Sequence, residues 1–161
     1  MRIRLFAAVL LAPLIMGGCD RDPFGTAAPL VGGWRSDAVH FPGTAPNGST
    51  NLLHREEWVF ELDGTYSRFD NVIDATTNST WVVAAERGSW KASDTELRLT
   101  VREIFYDPAD AAAAPELIPV DPHVVRARYE LHGGTLVIEP LCNAACLPIV
   151  PLPLYRMPTA F

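Results

Sequence analysis

Two stretches of the chain alternate between apolar residues and residues of other kinds. The first places Trp58, Phe60 and Leu62 at every second position, and the second, residues 97–101, repeats this spacing with leucine and valine. Because successive side chains of a strand point to opposite faces, a period of two is typical of a half-buried β-strand. No long segment shows the 3.6-residue period of an amphipathic helix. The pattern predicts an all-β domain.

Glycine-containing pairs separate several of these strands. Asp63-Gly64 lies between the first alternating stretch and residues 65–69, and Gly133-Gly134 lies between residues 124–131 and 135–139. Such pairs favour the tight turns of β-hairpins, because their backbone reaches positive φ without steric cost. Both positions are therefore predicted to be hairpins that join sequential antiparallel strands.

Shorter strand signals occur at residues 31–35, 80–86 and 154–157, and a bulge or simple continuation is predicted at Gly88. Loops are predicted where Pro, Gly, Asn and Asp cluster, at residues 41–51, 70–78 and 107–122. Seven or eight hairpin-linked strands without helices between them favour an antiparallel up-and-down β-barrel. A β-sandwich is the alternative.

The first residues have the layout of a secretory signal. Arg2 and Arg4 precede an apolar stretch over residues 5–16, which is shorter than the roughly 20 residues that cross a bilayer. Gly17, Gly18 and Cys19 follow. We therefore divide the chain into a signal peptide (1–18), a cysteine with a polar tether (19–29) and a folded domain (30–161). The alternative is an ordinary signal peptide in which Cys19 has no special role.

The small residues directly before Cys19 resemble the lipobox of bacterial lipoproteins, although Met16 stands where that family usually has leucine. The resemblance implies a Cys19 that carries fatty-acyl chains such as palmitate and anchors the protein to a membrane. Two or more chains hold a protein stably. Asp20 resembles the inner-membrane retention signal of enteric bacteria. We expect a location in the cell envelope, facing the periplasm, with the inner membrane favoured.

Charge and cysteine content support export. Loss of Arg2 and Arg4 with the signal changes the formal net charge from −6 to −8, and an acidic domain is repelled by nucleic acid. The remaining pair, Cys142 and Cys146, is predicted to form a disulfide, as an even number of cysteines outside the cytoplasm indicates. Copper binding by the two thiolates is the alternative, but no histidine or methionine accompanies them at a recognisable spacing.

Three short motifs resemble small bacterial lipocalin-like lipoproteins: Gly32-Gly33-Trp34, the stretch 58–66 followed by Gly88-Ser89-Trp90, and the late Arg156. The resemblance implies a lipocalin-like barrel in which Trp34 packs against Arg156 at the closed end. An arginine over an indole ring stabilises a fold by about 0.5–2 kcal/mol. A shared fold does not transfer ligand chemistry.

Large aromatic residues form the candidate cavity lining, and a core filled by the same side chains is the favoured alternative. The candidates are Trp58, Phe60, Tyr66, Trp81 and Trp90.

No motif indicates catalysis, a metal or a cofactor. His40, His54, His123 and His132 are scattered and have no metal-ligand spacing. Glu56 and Glu57 point to opposite faces of a strand, and Asp70 and Asp74 fall in a predicted loop where solvated charges are ordinary. No serine lies in a nucleophile-elbow context. We expect neither an enzyme nor a metalloprotein.

The sequence thus predicts a lipid-anchored barrel that binds a small apolar ligand or an envelope protein. The alternative is a structural or inhibitor-type lipoprotein with a filled core, which acts through its acidic surface by charge complementarity.

Overall fold

The structure, a computed structural model, describes residues 29–45, 47–106, 116–141 and 151–158. Nine β-strands occur within these ranges: β1 Gly32–Ser36, β2 Val39–Phe41, β3 Leu52–Phe60, β4 Thr65–Asp74, β5 Ser79–Ala92, β6 Glu96–Tyr106, β7 Ile118–His132, β8 Thr135–Pro140 and β9 Leu154–Arg156. No helix in this part of the chain is long and apolar enough to cross a membrane.

The strands form one antiparallel sheet that closes on itself. From β3 to β9 each strand pairs with the next, and β1 pairs with both β9 and β3. Eight strands thereby form a closed up-and-down barrel, which confirms the predicted fold over the sandwich. The additional strand β2 pairs with the beginning of β3, through Val39↔His54 and Phe41↔Leu52. The loop predicted from residue 41 therefore begins one residue later.

Both predicted hairpins are confirmed. Gly133 and Gly134 both have positive φ, as a two-residue turn requires. Between β3 and β4 only Gly64 has positive φ, and the amide of Gly64 donates to the carbonyl of Glu61 over 3.1 Å. This arrangement is a longer hairpin turn that contains Leu62. The prediction that Leu62 continues the buried face is wrong, because its side chain is 69% exposed in this turn.

The loop predicted at residues 70–78 is mostly strand. β4 continues to Asp74, and only residues 75–78 form the turn before β5. The register shifts between Asp70 and Asn71, and β4 is paired with β5 on both sides of the shift. Asp74 is inaccessible to solvent rather than solvated. Its carboxylate accepts hydrogen bonds from the side chains of Asn47, Ser49 and Thr77, so this buried charge is well satisfied.

The predicted loop at residues 107–122 is shorter as well, because β7 begins at Ile118 and includes two prolines. Proline has no amide hydrogen for a ladder bond. Pro119 lies opposite Glu103, and a register shift follows before His123 pairs with Val101. Pro122 falls within that shift, where the ladder is already interrupted.

The buried residues form two separate apolar clusters. The larger one includes Trp34, Trp58, Phe60, Trp90 and Leu97, and it extends to the end of the barrel where Leu30 and the short hairpin turns lie. We call this the closed end. The smaller one contains Ala45, Leu52 and Val72, with Phe41, Trp81 and Val83 packed against it, at the opposite end. The last residues of β2, β6 and β8 all lie toward that second end.

Candidate functional site

The described residues line two cavities that reach into the barrel. The larger one, the apolar cavity, has a volume of about 420 Å³ and lies beside the smaller apolar cluster. The second, the inner cavity, has a volume of about 190 Å³ and lies deeper. The apolar cavity is lined by Phe41, Gly43, Thr44, Ala45, Leu52, His54, Asp70, Val72, Trp81, Val83, Ala84 and Tyr106. The inner cavity is lined by Glu56, Trp58, Arg68, Glu86, Leu99, Val125, Ala127, Ile138, Pro140, Pro151, Leu152 and Leu154.

Five polar side chains from three neighbouring strands line the two cavities, three in the inner cavity and two in the apolar cavity. We call them the charged belt: His54, Glu56, Arg68, Asp70 and Glu86. They meet because the strand register places Glu56 opposite Asp70 and Arg68 opposite Glu86. The side chains of the first four are between 18% and 30% exposed. Charged groups are therefore held in the middle of an otherwise apolar interior.

The guanidinium of Arg68 lies at the centre of the belt. Its Nη2 atom is 3.2 Å from Asp70 Oδ1 and 3.5 Å from Glu56 Oε1. The same guanidinium stacks over the ring of Trp58, 5.2 Å from the centroid, and the Trp58 indole N–H donates to Glu56 Oε2 over 3.2 Å. Arg68 Nε is buried and has no hydrogen-bond partner within the described part of the chain.

The pKa shifts in the belt reflect burial and charge. Burial alone would lower the pKa of Arg68, but Asp70, Glu56 and Glu86 outweigh that effect and raise it. Burial raises the pKa of Glu86, and the favourable charge of Arg68 and the hydrogen bond from Tyr66 offset this only in part. Burial and the nearby Glu86 raise the pKa of Tyr66, which remains a neutral donor to Glu86 Oε1 at 3.2 Å.

The five aromatic residues proposed as a single lining are divided by the structure. Trp58 lines the inner cavity and Trp81 lines the apolar cavity. Phe60, Tyr66 and Trp90 are at most 3% exposed and pack against one another, with the Phe60 and Trp90 rings 5.2 Å apart and edge to face. These three fill the larger apolar cluster and line neither cavity.

The remaining predicted residues have different positions. Arg156 lies over the ring of Trp34 at the closed end of the barrel. Cys19, Cys142 and Cys146 lie outside the described residues, so lipidation and the disulfide stay predictions.

The sequence interpretation missed the charged belt, because it assigned Asp70 to a loop and found no partner for His54. In the structure one nitrogen of His54 and one carboxylate oxygen from each of Glu56 and Asp70 lie within 4.8 Å of one another. A signal was available in the sequence. Extending the β3–β4 hairpin outward from Phe60↔Tyr66 places Asp70 directly opposite Glu56.

Comparison with models of protein families gives no match for this chain, and a search of curated proteins gives no significant match. The fold and the interior therefore define the class of protein by themselves. It is a small, closed, antiparallel β-barrel whose interior combines an apolar cavity with half-buried charged residues.

Proposed function

We propose that this protein is a cell-envelope lipoprotein, anchored to a membrane through a lipid on Cys19, whose barrel binds a small and mainly apolar molecule. The observation that carries the binding proposal is the apolar cavity of about 420 Å³. Pockets that hold small molecules typically measure about 300–1,000 Å³ and combine apolar walls with a few polar groups. We propose binding rather than catalysis, because none of the five belt residues has a hydroxyl or thiol group that could act as a nucleophile beside His54.

The walls of the apolar cavity suit a ligand with an apolar body and one polar group. Phe41, Trp81 and Tyr106 supply aromatic surface, and Leu52 and Val72 supply aliphatic surface. His54 and Asp70 also line this cavity, and their side chains can form hydrogen bonds with a ligand. The polar groups would fix the orientation of a ligand whose affinity comes mostly from apolar contact.

The position of Leu30, the residue that follows the proposed tether, supports an anchored binding module. Leu30 packs in the larger apolar cluster, and its carbonyl accepts a hydrogen bond from the Trp34 indole over 2.7 Å. Leu30 therefore lies at the closed end of the barrel, and the apolar cavity lies at the opposite end. A lipid on Cys19 would join the folded domain at the end that does not carry the proposed binding site.

Titration with the neutral apolar fluorophore N-phenyl-1-naphthylamine tests binding. Val83→Trp places a large side chain into the wall of the apolar cavity and should abolish most of the saturable fluorescence increase. Val124→Trp makes the same change on β7, where the side chain is 53% exposed, and should leave the titration unchanged. Equal titration curves for both variants would contradict binding in this cavity.

Membrane fractionation tests the anchor separately. The Cys19→Ser variant should move from the membrane fraction to the soluble periplasmic fraction and should incorporate no labelled palmitate, whereas Cys142→Ser should remain membrane-bound. A Cys19→Ser protein that stays in the membrane fraction would contradict the proposed lipid anchor and leave the cavity proposal intact.

A second candidate is an inhibitor-type lipoprotein that acts through its acidic surface. The closed half of the barrel favours it, because aromatic side chains already fill that space. The fluorophore titration separates the two functions, since a surface-acting protein has no need of an accessible apolar cavity. A wild-type protein that gives no saturable increase in the fluorescence of the probe would support this second candidate.

A further inference from the structure

We propose that His54, Glu56 and Asp70 bind a divalent transition-metal ion, such as Zn²⁺, where the charged belt meets the apolar cavity. The three side chains come from two adjacent strands. His54 and Glu56 are two residues apart on the inner face of β3, and Asp70 faces Glu56 from β4. His54 and Asp70 also line the apolar cavity, so the ion would lie beside the proposed apolar ligand, but zinc binding can be measured without that ligand.

The distances among the candidate ligand atoms are close to those of a metal centre. The three atoms lie within 4.8 Å of one another, and His54 Nε2 is 3.6 Å from Asp70 Oδ1. Zinc bonds of about 2.0–2.2 Å to nitrogen and oxygen place tetrahedral ligand atoms about 3.4 Å apart. Small side-chain movements would complete the geometry. The imidazole favours a transition metal over Mg²⁺ or Ca²⁺, which prefer oxygen ligands alone.

The charged belt contains more acidic groups than basic ones, and a bound cation would reduce this imbalance. Among the belt residues, one guanidinium, that of Arg68, faces three carboxyl groups, those of Glu56, Asp70 and Glu86. Buried charges are costly unless they are paired. A divalent ion between Glu56 and Asp70 would neutralise the excess negative charge.

Arg68 is the group that competes with a metal for these carboxylates. Its Nη2 atom contacts both Glu56 and Asp70, so metal binding requires the guanidinium to move. Glu86 lies opposite Arg68 on β5 and attracts it electrostatically, which provides an alternative partner within the belt. The buried Nε atom of Arg68, which lacks a hydrogen-bond partner in the described structure, shows that its present position leaves a donor unsatisfied.

The site is accessible and would retain an open coordination position. His54 and Asp70 both line the apolar cavity, so an ion bound by three protein ligands would present its remaining position to that space. Structural zinc sites are closed by four protein ligands, whereas a site with three protein ligands leaves one position for water or another small ligand.

The test is calorimetric titration of the full-length protein, purified in detergent and stripped with a chelator, with ZnCl₂. We expect one saturable site. His54→Gln and Asp70→Asn should each weaken binding by about tenfold or more, since even outer partners of metal ligands have effects of that size. The matched control His132→Gln removes a histidine that is 85% exposed at the β7–β8 hairpin and should leave binding unchanged. Far-UV circular dichroism verifies that each variant is folded.

Two further variants keep the proposal falsifiable. Arg68→Gln removes the competing positive charge and should tighten zinc binding, whereas weaker binding by this variant would contradict a site between Glu56 and Asp70. Zinc binding that survives in both His54→Gln and Asp70→Asn but disappears in the Cys142→Ser/Cys146→Ser double variant would assign the ion to the thiols and overturn the proposal. Absorption of the Co²⁺-loaded protein without a sulfur-to-cobalt charge-transfer band would support ligation by nitrogen and oxygen.

Discussion

The guanidinium of Arg156 lies 4.5 Å from the centroid of the Trp34 indole ring, and the two residues are also direct partners across β9 and β1. Arg156 donates hydrogen bonds to the carbonyls of Val31, at 2.8 Å, and Pro29. Strand β9 pairs with β1 through three residues and with β8 through two. This contact therefore reinforces one of the two short seams that hold β9 in the barrel, and it ties β9 to Pro29 and Val31 at the start of the folded domain.

Loss of the Arg156 side chain should open this seam. Arg156→Ala removes a cation–π contact and two hydrogen bonds, and should lower the free energy of unfolding by about 1–3 kcal/mol. Arg156→Lys retains the charge without the planar fork and should have an intermediate effect. Arg98→Ala is the control. The side chain of Arg98 is 62% exposed, and its ion pair with Glu96 is long, at 3.9 Å, so its loss should change the stability little. Thermal unfolding that ranks the arginine variants otherwise would contradict the structural role.

Gly88 is required by the close approach of two strands. A Cβ atom at this position would lie 1.9 Å from the backbone oxygen of Thr100, at the register shift between β5 and β6. Gly88→Ala should therefore lower the melting temperature strongly, because the clash is with backbone and cannot relax locally. Gly43→Ala should have little effect, since its Cβ would meet only side-chain atoms at 3.4 Å or more. Similar melting temperatures for the two variants would show that the bulge is absent.

The raised pKa of Glu86 predicts a pH-dependent effect of its replacement. The carboxyl group is half-buried and faces Arg68, Tyr66, Asp70 and His123. Because the folded pKa exceeds the unfolded value of about 4.3, the folded state binds more protons within the window between them. The contribution of the Glu86 carboxyl group to the free energy of unfolding is therefore fully present below the unfolded pKa. This contribution is lost as the pH rises through the folded pKa.

The isosteric variant Glu86→Gln lacks this loss and retains an oxygen that accepts from Tyr66. Its melting temperature should exceed that of the wild type at pH 8, with the difference shrinking as the pH falls toward about 4. Glu130→Gln changes a carboxylate that is 74% exposed and should show a flat difference across the same range. A Glu86→Gln protein that is less stable than the wild type at pH 8 would mean that the charge of Glu86 is needed by Arg68.

Thiol titration tests the cysteine assignments. With Cys19 acylated and Cys142 bridged to Cys146, the denatured protein should contain no free thiol before reduction and two after it. The short loop should add about 2 kcal/mol in the chain-entropy description of disulfides. Two reactive thiols in the unreduced, denatured protein would contradict the disulfide.

Much of the barrel follows from local sequence patterns. The alternation at Trp58 and Phe60 and the two hairpin turns at Gly64 and Gly133-Gly134 depend on neighbouring residues, and they predict strands and turns directly. The ends of β4 and β7 do not follow, because both strands continue across register shifts. The composition near these shifts resembles that of a loop, although the residues of β4 remain paired with β3 throughout.

The candidate site was less accessible to sequence reasoning than the fold. Trp58 and Trp81 lie in different cavities, which depends on the curvature of the closed sheet and not on their spacing in the sequence. The belt arises from pairing between strands, since Asp70 meets Glu56 only when β4 extends beyond Phe69. Polar residues in a strand that faces the interior contradict the usual pattern, and for that reason they are candidates for function.

Native mass spectrometry of the full-length protein, purified gently from its own host, tests the central claim most directly. The lipid proposed on Cys19 is covalent and adds the same mass in native and denaturing conditions, so the difference between the two spectra reports only noncovalent ligands. The account predicts an additional mass in the native spectrum that is lost on denaturation and is absent from Val83→Trp but present in Val124→Trp. Identical native and denatured masses in the wild type, together with no saturable uptake of the apolar fluorophore, would contradict a ligand-binding barrel.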